Sequence, residues 1–137
     1  MVHIYENKYG KAEYDPATKT VHTQYVGVAI TDSIIDFLSM IILYSEKHRI
    51  EHGITNLTQM KGTFTAAMDF LENEFYPKLI QNGLLTYAMV VSGDIFTKFA
   101  ADQLTKKIGG TLDWQVFESL QEAEKWTKTM MGAVNVE

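Results

Sequence analysis

Tyr87-Ala88-Met89-Val90-Val91-Ser92-Gly93-Asp94 decides how the rest of the chain is read. Its first five residues are apolar almost throughout, the pattern of a strand covered on both faces and hence central in a mostly parallel sheet. Ser92-Gly93-Asp94 then turns the chain into a helix predicted over Ile95 to Ile108, with Ile95, Phe99 and Leu104 directed inward and Gly109-Gly110 ending it. Upstream, Thr63 to about Asn82 places Phe64, Met68, Leu71, Phe75 and Leu79 on one helical stripe, with Gly83 as terminator. Pro77 lies inside that helix, where it removes a backbone donor and crowds the carbonyl four residues earlier; a kink near Asn73 or two shorter helices is expected. Downstream, Leu112 to Phe117 alternates as a strand nearer the sheet edge. Ser119-Leu120-Gln121-Glu122 is a capping-box pattern that opens a last helix, anchored by Ala123 and Trp126.

Working back to the N-terminus, Ile54 to Met60 alternates as a short strand. Before it, Thr31-Asp32-Ser33 offers side-chain oxygens to free amides, and Ile34, Phe37, Leu38, Ile41, Ile42 and Leu43 follow at helical spacing. This first helix is predicted to run to His52, with Gly53 in the left-handed position that ends it. Gly10 to Tyr14 and Thr20 to Val26 flank Asp15-Pro16-Ala17-Thr18, in which Pro16 presets a turn and the Asp15 carboxylate can accept an amide two residues on. The predicted order is β-β-α-β-α-β-α-β-α. That is an α/β domain with a mixed sheet of about five strands and about four helices, an N-terminal meander followed by right-handed βα units. One domain over residues 1–131 and a flexible tail over 132–137 are expected.

Composition agrees with a packed domain: 137 residues, 46% hydrophobic and 21% charged. A formal net charge of −5 argues against a general grip on nucleic acid or anionic lipid. The absence of cysteine removes disulfides, thiolate metal sites and cysteine nucleophiles together. The N-terminus has no basic region leading into an apolar stretch, and the apolar run Ile34 to Tyr44 falls short of the roughly 20 residues a bilayer requires. A cytoplasmic protein without a transmembrane segment is the resulting expectation.

Signals for chemistry are sparse. His48-Arg49-Ile50-Glu51-His52 satisfies the inverted zinc-protease pattern, with two imidazoles at i and i+4 of the predicted helix. Such a site needs a third ligand and a second layer of hydrogen bonds, while Lys47 and Arg49 would oppose a divalent ion; His48 and His52 read better as a solvated helix end complementing the dipole. No nucleophile elbow, P-loop or dinucleotide fingerprint is present, and no cofactor is expected. Asp69 and Glu72 are neighbours on a solvated helix face, and Phe99, Trp114, Phe117 and Trp126 read as core. Lys61-Gly62-Thr63-Phe64-Thr65 lies between a strand's carboxyl end and a helix start, where a phosphate or other anion is favoured, but Thr63 reads better as a simple helix cap.

The ordered set Tyr5-Glu6-Asn7, Ala12-Glu13-Tyr14-Asp15, Tyr25-Val26-Gly27, Asn56-Leu57-Thr58, Phe75-Tyr76-Pro77, Ala88-Met89-Val90-Val91 with Asp94, and Phe117 to Trp126 resembles the SpoIIAA-like superfamily. The likeness is to its small stand-alone bacterial STAS-like proteins, which share a fold with the lipid-binding CRAL-TRIO module. In the anti-sigma antagonists of that superfamily a D-S-S-G-type segment opens the helix after the third strand, and its serine is phosphorylated. Here Lys61 to Ala66 takes that place without an Asp-Ser pair, so the resemblance leaves Thr63 or Thr65 to take a phosphate, with Gly62, Asn56 and Thr58 as neighbouring contact candidates. The CRAL-TRIO side implies instead a small apolar ligand held between sheet and helices. The wide apolar surface of helix one, Ile34, Leu38, Ile41, Ile42 and Tyr44, would then meet a ligand or a second subunit. The expected function is a non-catalytic regulatory or protein-interaction domain, switched by phosphorylation or not. A carrier of a lipid or other apolar molecule is the alternative, and a metal-dependent hydrolase comes third.

Overall fold

Alternating sequence at the start of the chain forms three antiparallel strands, β1 (Val2–Asn7), β2 (Gly10–Asp15) and β3 (Thr20–Val28). The structure is a computed structural model that describes residues 1–135, the side chains of residues 95, 96 and 133–135 excepted. Between β2 and β3 the Ala17 amide donates to Asp15 Oδ1 at 3.0 Å, the bond expected of the Asp-Pro turn. Three βα crossovers then add β4 (His52–Lys61), β5 (Thr86–Val90) and β6 (Asp113–Phe117) in parallel. The sheet of the described residues has six strands in the order β1-β2-β3-β4-β5-β6. The strand beyond the expected five is β1. It is an edge strand with both faces largely open and a bulge between His3 and Tyr5, so it carries little apolar alternation.

Helix α1 (Thr31–Ser45) stops seven residues short of the expected His52. The sheet captures the chain first: Tyr14 Oη donates to the Arg49 carbonyl at 2.6 Å, and the amides of Glu51 and His52 donate to the Lys19 carbonyl. Gly53 is accordingly not a helix terminator but a strand residue. A Cβ on Gly53 would sit 2.2 Å from the Tyr87 ring, so the absence of a side chain is what lets β4 and the buried ring pack together. At the other end of α1 the cap position is Ile30, and no side chain caps it. Ser33 instead accepts a bond from Asn7 Nδ2, tying α1 to β1.

The second helical segment, α2, is compound: a 3₁₀ turn (Thr65–Ala67), a short α turn (Met68–Phe70), a π turn (Leu71–Phe75) and a final α stretch (Tyr76–Gln81) with Pro77 in its first turn. The interruption expected near Asn73 is therefore a π turn, which absorbs the donor that Pro77 lacks. Helix α3 spans Ile95–Ile108, and Asp94 Oδ2 caps it by accepting from the Thr97 amide. Ala100, Ala101, Leu104 and Ile108 face the sheet, while Phe99, expected inward, is 62% exposed. The Ile95 side chain lies outside the described residues. Helix α4 (Leu120–Asn135) opens with the Glu122 amide donating to Ser119 Oγ, and it continues past Gly132, where a tail is expected.

The three successive crossovers put α1, α2 and α3 on one face of the sheet, over a large core that includes Tyr25, Phe37, Phe75, Tyr87 and Leu104. Helix α4 follows the edge strand and returns across the opposite face, where Ala123 and Trp126 cover Ile54, Ala88, Val90 and Phe117. All five residues of β5 are buried, as a strand covered on both faces must be. None of the described helices is long and apolar enough to cross a membrane. Adding a methyl at Gly53 should cost about 1–3 kcal/mol by overpacking against Tyr87. Urea unfolding of Gly53→Ala checks this, with Gly110→Ala, where a Cβ meets nothing within 4 Å, expected to stay within about 1 kcal/mol of the parent.

Candidate functional site

Strand β4 carries the local irregularity that shapes the helix-covered face. Gln24 pairs with Asn56 and Val26 with Gln59, so β4 spends one more residue than β3 over this interval and bulges. Asn56 Oδ1 holds the bulge by accepting from the Thr58 amide at 3.0 Å and from Thr58 Oγ1 at 2.7 Å. The extra residue shifts the side-chain phase, so that Leu57 and Met60, three apart, both turn toward the helices and line one cavity. That cavity, about 50 Å³, lies between the sheet and the helices α1 and α2. Ile34, Leu38 and Ile41 of α1 and Leu71 and Tyr76 of α2 form its roof, and among the described residues no charged side chain lines it.

Its floor contains four hydroxyl-bearing residues from adjacent strands, Thr23, Tyr25, Thr55 and Tyr87, of which Tyr25 donates its hydroxyl to the Val28 carbonyl at 3.0 Å. Thr55 Oγ1 and Tyr87 Oη hydrogen-bond to each other. Thr23 Oγ1 is buried with no hydrogen-bond partner, although Thr23 stands opposite Thr55 in the ladder. Burial pushes the Tyr87 hydroxyl up to about 12, and it pushes Tyr76 well above the ordinary tyrosine value. Both phenols are therefore neutral near physiological pH, and the cavity is uncharged throughout.

The carboxyl ends of the parallel strands form a second candidate region. Val28 and Ile30 are 57% and 40% exposed there, and between them the Ala29 amide donates to the Lys61 carbonyl at 2.8 Å. Gly62 has φ +98°, and its carbonyl lies 3.1 Å from Thr97 Oγ1 at the start of α3. Thr63 does not cap α2; the cap position is Phe64 without a side-chain bond, and Thr63 Oγ1 instead bonds Thr65 Oγ1 at 2.9 Å on the surface. Asn56 and Thr58, grouped with these threonines in the sequence reading, spend their polar groups on the β4 bulge.

The zinc-protease reading fails on geometry, because residues 48 to 52 are not helical. His48 lies beyond the end of α1 and stacks on Tyr44 at 4.2 Å between ring centroids. His52 is buried in β4 with Nδ1 2.7 Å from Thr86 Oγ1. Glu51 pairs with Arg49 at 2.8 Å, and this hydrogen bond lowers its carboxyl pKa. Helix one also differs from expectation: Ile41 and Ile42 are buried, Ile34 and Leu38 pack on the core, and Tyr44 packs against Tyr14. Of its large apolar side chains, Leu43 is the one that stands out into solvent.

No protein-family model matches the chain, and no curated protein matches it significantly.

Burial lowers the proton affinity of His52 below its ordinary 6.5, with Glu51 pulling it partly back. His22, on the sheet face opposite the cavity, is lowered in the same way, against the pull of Glu124, Asp15 and Glu13. A histidine that binds its proton less tightly when folded contributes stability in full above the unfolded pKa, and that contribution is lost as pH falls through the folded pKa. The urea midpoint should drop between about pH 7 and pH 5, and His52→Asn should make that drop shallower. An identical pH dependence in the variant would remove His52 from the account.

Proposed function

We propose that the chain is a non-catalytic regulatory module of the SpoIIAA-like and STAS-like type, which binds another protein through the carboxyl end of its parallel strands in the cytoplasm. The observation that carries this reading is the exposure of Val28 and Ile30 next to the Gly62–Thr65 loop. Exposed β-branched side chains beside small hydroxyls suit a contact surface that is apolar at its centre and polar at its rim. Two ionisable groups nearby have structural partners: Asp94 caps α3, and Lys98 lies 3.5 Å from Glu118. Contact, not proton transfer, is what such an arrangement favours.

A phosphate on Thr63 or Thr65 would break the bond between the two hydroxyls and place nearly two negative charges beside Lys61, which gives the surface a means of switching. Self-association through α1 is the weaker partner reading, since Leu43 is its one largely exposed large apolar side chain.

Crosslinking in the native host followed by mass spectrometry tests the assignment. Parent protein and Leu43→Glu should retain the same partner, while Val28→Glu and Ile30→Glu lose it with unchanged circular dichroism and thermal midpoint. Retention by all four would refute the carboxyl-end site. Thr63→Glu and Thr65→Glu should weaken retention if the switch operates, and equal retention would exclude it.

A further inference from the structure

We infer that the free edge of β6 is an interface with a second copy of this chain, the two strands pairing antiparallel about a two-fold axis at Gln115 and joining two sheets into one. Backbone direction carries the inference. The Asp113 amide donates to the Leu85 carbonyl at 3.2 Å, and the Phe117 carbonyl accepts from the Val91 amide at 2.8 Å, so residues 113, 115 and 117 turn their backbone polar groups toward β5. Trp114 and Val116 therefore turn theirs outward, where no strand of the described residues follows. The other edge of the sheet is blunted, because β1 is bulged and carries the His3 and Glu6 pair. Strand β6 has none of these devices: it pairs with β5 over five residues without a shift and holds neither proline nor lysine.

The outward groups are symmetric about Gln115, and that symmetry selects the occupant. With Gln115 opposite itself, Trp114 of each copy meets Val116 of the other, and each such pair exchanges two N–H···O bonds. Both side chains lie on the face covered by α3, so the pairing keeps the faces of the two strands matched. It also sets an indole beside a β-branched side chain, a favourable cross-strand pair. The indole is already fixed, since Trp114 Nε1 donates to Thr105 Oγ1 at 2.8 Å. On the other face Phe117 packs on Trp126, and neither ring is fully covered. Asp113, the one charged residue of β6, falls opposite Phe117 of the second copy, which holds the two carboxylates at opposite ends of the ribbon. The neighbouring symmetric registers, centred on Trp114 or Val116, overlap by three residues instead of five. Val28 and Ile30 stand at and just beyond the end of β3, three strands away, so this edge and the partner surface proposed above are separate.

Sedimentation of the full-length protein over about 1–500 µM tests it, with a monomer–dimer equilibrium expected at a dissociation constant on the order of 10 µM. Gln115 is exposed, and Gln115→Lys or Gln115→Glu places like charges across the axis. Each alone should weaken the dimer about fivefold, and mixing the two should restore it as a heterodimer. Val116→Pro, whose lost N–H points to solvent in the monomer, should keep the parent's circular dichroism and stay monomeric. Because the chain has no cysteine, Gln115→Cys should form a disulfide-linked dimer on mild oxidation, whereas Asp113→Cys, exposed on the same face, should not. A monomer throughout the range, a dimer that the Gln115 and Val116 variants leave unchanged, no recovery on mixing, or equal crosslinking at 113 and 115 would each overturn the inference. A dimer dissolved by Leu43→Glu would overturn it in favour of α1, and a monomer whose crosslink to a host protein disappears in Val116→Pro would give the edge to another protein's strand. Val28→Glu should dimerise like the parent, which separates failure of this interface from failure of the partner surface.

Discussion

The seating of the Tyr87 ring on Gly53 is the contact on which the remaining structure depends. Tyr87 is fully buried, meets Phe75 and Tyr76 edge-on at 6.2 and 5.1 Å, and stacks on Trp114 at 6.0 Å. One phenol thus joins β4, β5, β6 and α2. Edge-to-face aromatic pairs add about 0.5–1.5 kcal/mol each beyond the area they bury, so a cluster of this kind fixes orientation as well as stability. Its hydroxyl reaches Thr55, which sets the polar floor of the cavity. The glycine that admits the ring also explains why the chain leaves α1 early: β4 must begin at His52 for Gly53 to come under Tyr87.

How much of this could be read from the sequence depended on whether a signal was local. The unbroken apolar run 87–91, the Asp15-Pro16 turn and the punctuation by Asp94 and Gly109 act within a few residues, and the elements they imply are present. Pro77 is similar, since its missing donor perturbs the adjacent turn whatever the tertiary surroundings. Gly53 was ambiguous because a glycine ends a helix and admits a neighbouring ring equally well, and the ring that decides the matter lies in another strand. Phe99 misled for a related reason. Helical periodicity identifies an apolar stripe but cannot say that Ala100 and Ala101, being small, are the residues that approach the sheet.

The candidate sites were less legible. Thr63 and Thr65 were found by their place after a strand, and the structure joins them to each other, yet Asn56 and Thr58 proved to hold a bulge. The cavity left no such trace. Thr23, Thr55 and Tyr87 come from three strands, and no short window contains two of them. Their meeting requires the register of β3 on β4 and the tilt of a ring from β5, neither of which leaves a mark in local composition.

The uninterrupted strand order has a consequence for how the chain assembles. Each strand hydrogen-bonds to the one immediately before it in sequence, so no strand waits for a partner made later. Loop closures stay short, and the entropy lost in each is recovered as soon as the next helix lies down on the strands already formed. During synthesis the meander can stand as a template on which β4, β5 and β6 are added in turn as they emerge. The last element, α4, has the distinct task of closing the opposite face, and until it arrives Ile54, Ala88 and Val90 remain uncovered. The nascent domain is therefore most exposed to aggregation just before its final helix leaves the ribosome.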